Sequence, residues 1–471
     1  MDDERRQNHD LVLVMCPFWD VEEPPLGLAY LAEHLSVNHW RVRVVDLNLG
    51  FYLAHPARQG LWRTASMYDR SLVDTFRDDI LDGARQITRS HPAVVGFSVN
   101  QKNLCVSVAV ARKVKELDRH IVVVFGGPDC FLKPDRDYIP PDALDYFVVG
   151  DGEFILQRLL SRLVSGRPLG DIGGVLRSGQ NRHLEHVPEN YPSHGKLRHP
   201  TFKQFPVEQY IGRSLPVLFT RGCVRRCVFC NDRSYYRDFS VSAPGEAADR
   251  LQSYVDLHGL NTFSFHDQAI NGAPAMCRRF MEEIVRRRME INWSANCMVR
   301  GGMDREFFGL MKSAGCRNLF FGVESFSPRV LERMKKGFSV DEARDVLRSC
   351  KEAEIGVLIN LIVGFPGETE EDVEETVRFL EQNRAVIDMV LNLSTCFVAP
   401  NSDLERRPEA FGIVLPRGHF ANWYSLDGHS TNKTRMALAD RMQATLQTLG
   451  IPYQTVNILR DNDLKGDPIR D

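Results

Sequence analysis

The sequence predicts an α/β protein built from two successive parallel-sheet units, and three observations carry that prediction. Short apolar runs alternate with helix-periodic stretches from the N-terminus to about residue 165, and again from Leu215 to about residue 415. Strands separated by helices pair in parallel, because each crossover returns over a face of the sheet. The first runs are apolar throughout, as in strands covered on both faces. The 471 residues also exceed a single domain of about 150 residues roughly threefold. The expected architecture is a doubly wound, Rossmann-like parallel sheet over 1–165, a connection over 166–212, a partial (β/α)6 TIM-like barrel over 213–415 and a small C-terminal region over 416–471.

The elements follow in order. Leu11-Val-Leu-Val14 reads as the first strand, and Leu28, Leu31, Ala32 and Leu35 mark one face of the helix after it. Val42–Val45, Val94–Val99, Ile121–Phe125 and Tyr146–Val149 are the remaining strands of the first unit, with a helical excursion before the third. Their carboxyl ends carry Cys16, Asn100, Gly126-Gly127-Pro128 and Gly150-Asp-Gly-Glu153, where a doubly wound sheet binds its ligand. Residues 166–212 are rich in Gly, Pro, Ser, His and Arg with weak periodicity, which suggests a connection holding at most a small hairpin. In the second unit the strands are Leu215–Thr220, Thr262–His266, Ile291–Ala295, Asn318–Glu324, Val357–Val363 and Met389–Leu393. Ser327-Pro328 reads as an N-cap with proline at the first helical position, and Ser339 with Glu342 as a capping box.

Composition narrows the function classes. Fifty-nine basic residues against 62 acidic ones leave no global field to recruit duplex nucleic acid. No apolar run reaches the 18 or so residues of a spanning helix, and the charged start MDDERRQNHD is unlike a secretory signal, so a cytoplasmic location is expected. In a reducing compartment eleven cysteines point to metal binding or catalysis before disulfides. The decisive stretch is Arg221-Gly-Cys223-Val-Arg-Arg-Cys227-Val-Phe-Cys230, directly after a strand. Three thiolates from one tight loop suit three corners of a cubane iron–sulfur cluster that normally takes four cysteines, leaving one iron open. A structural zinc knuckle is the alternative, but no second short Cys or His pair accompanies the triplet.

This C-x3-C-x2-C run, with Phe229 before its last cysteine, resembles the signature of the radical SAM superfamily. The resemblance extends over about 213–400. Asp267 stands where the family places groups near the methionine amine of S-adenosylmethionine, although many relatives carry Gly-Gly-Glu or an acidic pair there. Asn296-Cys-Met-Val-Arg300 is similar to the segment whose arginine lies near the carboxylate. Glu324 and Ser325 match the ribose-contacting motif, and Gly364-Phe-Pro-Gly367 matches the segment against adenine. The resemblance implies a [4Fe-4S] cluster on Cys223, Cys227 and Cys230, chelation of S-adenosylmethionine and its reductive cleavage to a 5′-deoxyadenosyl radical. It also implies a reductant such as flavodoxin or ferredoxin and a small-molecule or natural-product-like substrate.

The first unit resembles the cobalamin-binding domain often fused ahead of radical SAM domains, through Pro24-Pro-Leu-Gly27, Val94–Val99, Phe125-Gly-Gly-Pro128 and Val149-Gly-Asp-Gly-Glu153. That implies a corrinoid near Gly126, Gly127 and Gly150. The D-x-H-x-x-G motif that ligates cobalt in some such domains is absent: the loop after the first strand reads Phe18-Trp-Asp-Val-Glu-Glu-Pro-Pro25, and Asp118-Arg-His120 reads as a surface turn. The expected reaction is methylation of an unactivated carbon. Alternatives are rearrangement, cyclisation or dehydration without methyl transfer, a methylthiotransferase-like enzyme with a second cluster on Cys16, Cys105 and Cys130, and a non-catalytic corrinoid or iron–sulfur regulatory module. The aromatic stretch His419–Asp427 is read as core packing before a substrate pocket, and Cys277, Cys297, Cys316, Cys350 and Cys396 as buried thiols.

Overall fold

The computed structural model describes residues 9–64, 71–100, 102–131, 139–169, 172–179, 197–232, 238–416 and 422–456. The chain divides into two compact units at Leu215 and Pro216.

In the first unit the strands are β1 (Leu11–Met15), β2 (Val42–Asp46), β3 (Val94–Ser98), β4 (Val122–Gly126), β5 (Tyr146–Val148) and β6 (Val175–Arg177). They form one sheet in the order β2-β1-β3-β4-β5-β6. The first five are parallel, with Leu11 facing Val42 on one side and Val94 on the other. β6 runs antiparallel to β5, so part of the expected 166–212 connection is a sixth strand. Residues 197–212 also pack on this unit: the Tyr210 hydroxyl donates to Asp46 at 2.5 Å and the Thr201 hydroxyl to Glu33 at 2.7 Å. Strand order reverses between β1 and β3, which places the crevice at their carboxyl ends. The excursion after β2 supplies helices Leu47–Ala54 and Arg77–Thr88. Its Phe51, Trp62 and Phe76 gather around Phe18, with the Phe18 and Trp62 rings 4.7 Å apart, so the loop after β1 is roofed by aromatic packing.

The second unit carries a seven-stranded sheet in the order β17-β14-β13-β12-β11-β10-β7, an open barrel. These are β7 (Leu215–Val217), β10 (Thr262–Phe265), β11 (Asn292–Cys297), β12 (Cys316–Glu324), β13 (Gly356–Val363), β14 (Met389–Thr395) and β17 (Tyr453–Thr455). Two short ribbons stand apart: β8 (Thr220–Arg221) with β9 (Ser240–Val241), and β15 (Ile413–Val414) with β16 (Tyr424–Ser425). The expected strand Leu215–Thr220 is thus broken after Val217, because the Phe219 and Thr220 amides turn to the Asp267 carboxylate.

Along β13, Val357, Ile359, Leu361 and Val363 are buried, while Leu358, Asn360 and Ile362 on the other face are only partly so. That second face is polar across several strands: Asn318 donates to Ser294 at 3.3 Å and Asn392 to Asn360 at 2.9 Å. The outer face packs on helices such as Pro274–Arg286 and Val340–Glu352, burying Cys277, Cys297, Cys316 and Cys350. The Ser339–Glu342 capping box forms as expected. Ser327 does not cap its helix; its hydroxyl donates to Asp372 at 2.6 Å, although proline does occupy the first turn.

Candidate functional site

Strands β10 to β14 and β17 run parallel, so the segments that follow them meet at one end. β8 leads through Gly222, at φ 82°, into the cysteine loop. Cys223, Cys227 and Cys230 are each partly exposed, unlike the other described cysteines of this unit, which are buried. The Arg225 amide donates to Cys223 Sγ at 3.4 Å and the Asp232 amide to Cys230 Sγ at 3.5 Å. Burial pushes the Cys223 and Cys230 thiols up, with those amides pulling against it. Backbone N–H groups aimed at sulfur suit thiolate ligands of a cluster. Among the described residues no three His, Cys, Asp or Glu side chains converge as ligands of a single metal ion would. A cubane takes its thiolates on different irons, so such convergence is not its requirement.

The loop is held at several points. Asp267, fully buried just beyond β10, accepts from the amides of Phe219 and Thr220 and from the Thr220 hydroxyl at 2.6 Å. Burial pushes its carboxyl up to about 6 against the pull of those donors. Its oxygens are therefore engaged in fixing the backbone that enters the cysteine loop. Near the end of β11 Asn296 donates to the Asp267 carbonyl at 2.9 Å, and beyond it Arg300 donates to the carbonyls of Asn271 at 3.1 Å and Gly272 at 3.3 Å. Arg225 reaches from the cysteine loop to the carbonyls of Val299 and Gly337, 3.0 Å each. Val228 anchors the loop in a core cluster with Met334, Phe365, Val398 and Trp423, and Phe229 packs on its edge. Trp423 is fully buried there, so the aromatic stretch is core at that residue; Tyr424 is exposed, and Phe420 lies outside the described residues.

Glu324 ends β12 in the left-handed region at φ 74°, after a register shift past Gly322. It is buried 3.6 Å from the Lys336 ammonium; burial raises its carboxyl and Lys336 lowers it. Ser325 is directed elsewhere, to Thr376 Oγ1 at 3.4 Å and the Ser327 amide at 3.1 Å. Gly364 and Gly367 after β13 sit at φ 72° and 77°. A Cβ at Gly364 would collide with the buried Arg435 side chain, and one at Gly367 would lie 2.8 Å from Arg333. Glu368 accepts from the Gly364 and Phe365 amides, and burial pushes its carboxyl up to about 8.

In the first unit Gly127 and Gly150, both at φ 107°, follow β4 and β5. A Cβ at Gly127 would lie 2.6 Å from the Val99 carbonyl, so close backbone packing alone demands glycine; Gly126 makes no such demand. Asn48 accepts from the Trp19 amide at 2.9 Å and Trp62 Nε1 at 2.7 Å, fixing the loop after β1. Cys16 and Cys130 are fully buried in apolar core, and burial pushes the Cys16 thiol up to about 12. His120 lies in an exposed turn with its amide on Asp118 at 2.9 Å.

Residues 217–380 match the profile of the radical SAM superfamily. The segment similar to that superfamily lies within the second unit. The matched segment runs from the end of β7 into the helix Glu370–Gln382 and includes the barrel strand ends described above. The chain is 26% identical over 383 residues to an uncharacterized methyltransferase of Pyrococcus horikoshii, covering 76% of this chain and 73% of the relative. It is 24% identical over 345 residues to the anaerobic magnesium-protoporphyrin IX monomethyl ester cyclase of Rubrivivax gelatinosus, covering 69% of this chain and 60% of the cyclase. Among solved structures, the radical S-adenosylmethionine methyltransferase TsrM of Kitasatospora setae, with cobalamin and a [4Fe-4S] cluster bound, superposes with a TM-score of 0.65 at 21% identity. That superposition covers 87% of this chain and 76% of TsrM, so both units share its fold. The α/β architecture expected from the sequence, a parallel sheet ahead of an open barrel, is thus the fold of that structure too. Among the described residues no helix is long and apolar enough to cross a membrane.

Thr220, Arg225, Lys336 and Glu368 shape this candidate site without having been singled out from the sequence. Glu368 had a signal, lying next to Gly367 in the glycine motif. The other three are reached across at least 47 residues of chain, or sit among ordinary-looking charges such as Lys335-Lys336.

Proposed function

We propose that this enzyme holds a [4Fe-4S] cluster on Cys223, Cys227 and Cys230, binds S-adenosylmethionine at the barrel mouth and a corrinoid at the β1/β3 crevice, and methylates an unactivated carbon of a small molecule. One observation carries the reading: three partly exposed thiols share one clamped loop, two of them receiving backbone N–H groups, and no fourth cysteine joins them among the described residues. When bound, the cluster and S-adenosylmethionine supply one-electron chemistry and the corrinoid a methyl carrier. The chain's own residues orient and enclose. Asp267 fixes the loop entrance, Arg225 ties the loop to the β11 and β12 segments, and Glu324 offers a buried carboxylate to ribose hydroxyls. Gly364 and Gly367 let the turn after β13 pack closely on Arg435 and Arg333, and that turn is where the adenine would lie. Arg300 closes the β10–β11 edge, and the polar barrel face of Ser294, Asn318, Asn360 and Asn392 suits a substrate with hydrogen-bonding groups. The electron donor fits a flavodoxin or ferredoxin, and the setting is the cytoplasm.

The likeness to a cyclase favours ring formation without methyl transfer as the second reading. S-adenosylmethionine carrying a deuterated methyl group separates the two. Label retained in a product formed from cell extract supports methylation, whereas a product without label refutes it. In parallel, the reduced, reconstituted protein should release 5′-deoxyadenosine or a demethylated cofactor, and Cys227→Ala should release neither; unchanged turnover by that variant contradicts the cluster assignment.

A further inference from the structure

The cysteine loop and the Glu324 strand end are joined by one turn, Met334–Phe338, which no sequence motif had marked. Helix Pro328–Met334 ends with Lys335 at φ 57°, and Gly337 follows at φ 68°, so the chain reverses tightly between them. The reversal sends neighbouring lysines in opposite directions: Lys335 is exposed, whereas Lys336 is 8% exposed. The same turn grips the cysteine loop twice through backbone atoms. The Val228 amide donates to the Met334 carbonyl at 3.2 Å, and the Arg225 guanidinium to the Gly337 carbonyl at 3.0 Å. Lys336 makes the third connection. Its ammonium lies 5.6 Å from the centre of the Phe229 ring, 5.9 Å from that of Phe338 and 3.6 Å from Glu324 Oε1.

A lysine is taken out of water only where its charge is answered. Here one carboxylate and two aromatic faces answer it, and the carboxylate is itself buried. Glu324 is aimed at this cation by backbone that a non-glycine residue adopts at a cost, with φ at 74°. Gly322, two residues earlier, clears the space: a Cβ there would lie 2.9 Å from Glu324 Oε1 and 3.7 Å from Lys336 Nζ. Strain, a missing side chain and a buried cation thus all serve the placement of one carboxylate.

We propose that Lys336 is a positioning residue for S-adenosylmethionine: it fixes the Glu324 carboxylate as a hydrogen-bond acceptor and ties that acceptor to the loop bearing the cluster. The assignment rests on the reading that Glu324 meets the cofactor. It predicts that the ammonium acts through Glu324, leaving the cysteine ligands themselves complete. Lys336→Met keeps the length and apolar stem while removing the charge, and Lys336→Arg keeps the charge.

The test is equilibrium dialysis of S-adenosylmethionine against oxidised, anaerobically reconstituted protein, so that no turnover occurs, with iron counted on the same samples. The Lys336→Met variant should retain its iron and bind S-adenosylmethionine roughly tenfold or more weakly, the loss of one hydrogen bond to a charged group. Lys336→Arg should restore most of the affinity. In a Glu324→Gln background Lys336→Met should change affinity by less than about twofold, because the two act as one unit. Gly322→Ala, which crowds the carboxylate without touching its charge, should weaken binding in the same direction. If Lys336→Met binds as tightly as the parent, the assignment falls. It falls equally if that variant loses iron along with affinity, or if its effect is undiminished beside Glu324→Gln. If the parent itself, with its cluster in place, does not bind S-adenosylmethionine, the proposed function falls first.

Discussion

Asp267 occupies a motif position that resemblance associates with the cofactor amine, yet its two oxygens are filled by Phe219, Thr220 and the Thr220 hydroxyl. Replacing it by Asn puts an NH2 group against backbone N–H donors. Asp267→Asn should lower unfolding stability by about 2 kcal/mol and reduce the iron taken up on reconstitution. Denaturant unfolding and iron assay check both, and parent-like values would make Asp267 a free ligand after all. Glu368 gives a pH signature. Burial raises its carboxyl from the usual 4.5 to about 8, so the folded chain keeps a proton that the unfolded chain releases. Its contribution to stability accordingly declines as pH rises from 4.5 to about 8. Glu368→Gln, a neutral mimic, should gain on the parent across that window in thermal unfolding, and a constant difference would contradict the assignment. Neither role was legible locally: the sequence shows where a carboxylate lies, while its burial and donors come from strands far along the chain.

Helix ends tell the same story one level up. The Ser339–Glu342 box was legible because both partners lie within one turn, and Ser339→Ala should cost about 1 kcal/mol. Ser327 has the same local pattern but a different task, because Asp372, 45 residues later, takes its hydroxyl. Asp372 also meets Arg329, the Thr369 hydroxyl and the Thr369 amide. Burial alone would raise its carboxyl, and these partners outweigh that to hold it well below the usual 3.8. A depressed carboxyl adds stability above its unfolded value, and loses it as pH falls through the folded one. Asp372→Asn should therefore be less stable than the parent at neutral pH, with the gap closing in acid. A gap independent of pH, measured by urea unfolding, would remove the ionic part of the account. Among the strands, long apolar runs such as β13 were evident from pattern. β6 and β17 were not, since each has only three residues and gains its identity from the sheet edge it joins.

At the scale of the molecule, the order of elements and the cysteine triplet were legible because both are encoded locally: alternation in one case, spacing in the other. What holds the triplet in place was not, since it is contributed by Asp267, by Val299 and by the turn carrying Met334 and Gly337, three separate parts of the barrel. The glycines at the ends of β4 and β5 illustrate the converse. Their conformations are explained by the sheet itself at Gly127, so they cannot by themselves establish a corrinoid. The account's central claim is that one chain carries a single cluster in its barrel and a corrinoid on its first sheet. Metal analysis of protein purified anaerobically from cells supplied with iron and cobalamin tests it most directly. The account predicts about four irons and about one cobalt per chain, with Cys227→Ala losing the iron and keeping the cobalt. About eight irons, or a full complement of iron without cobalt, would contradict it.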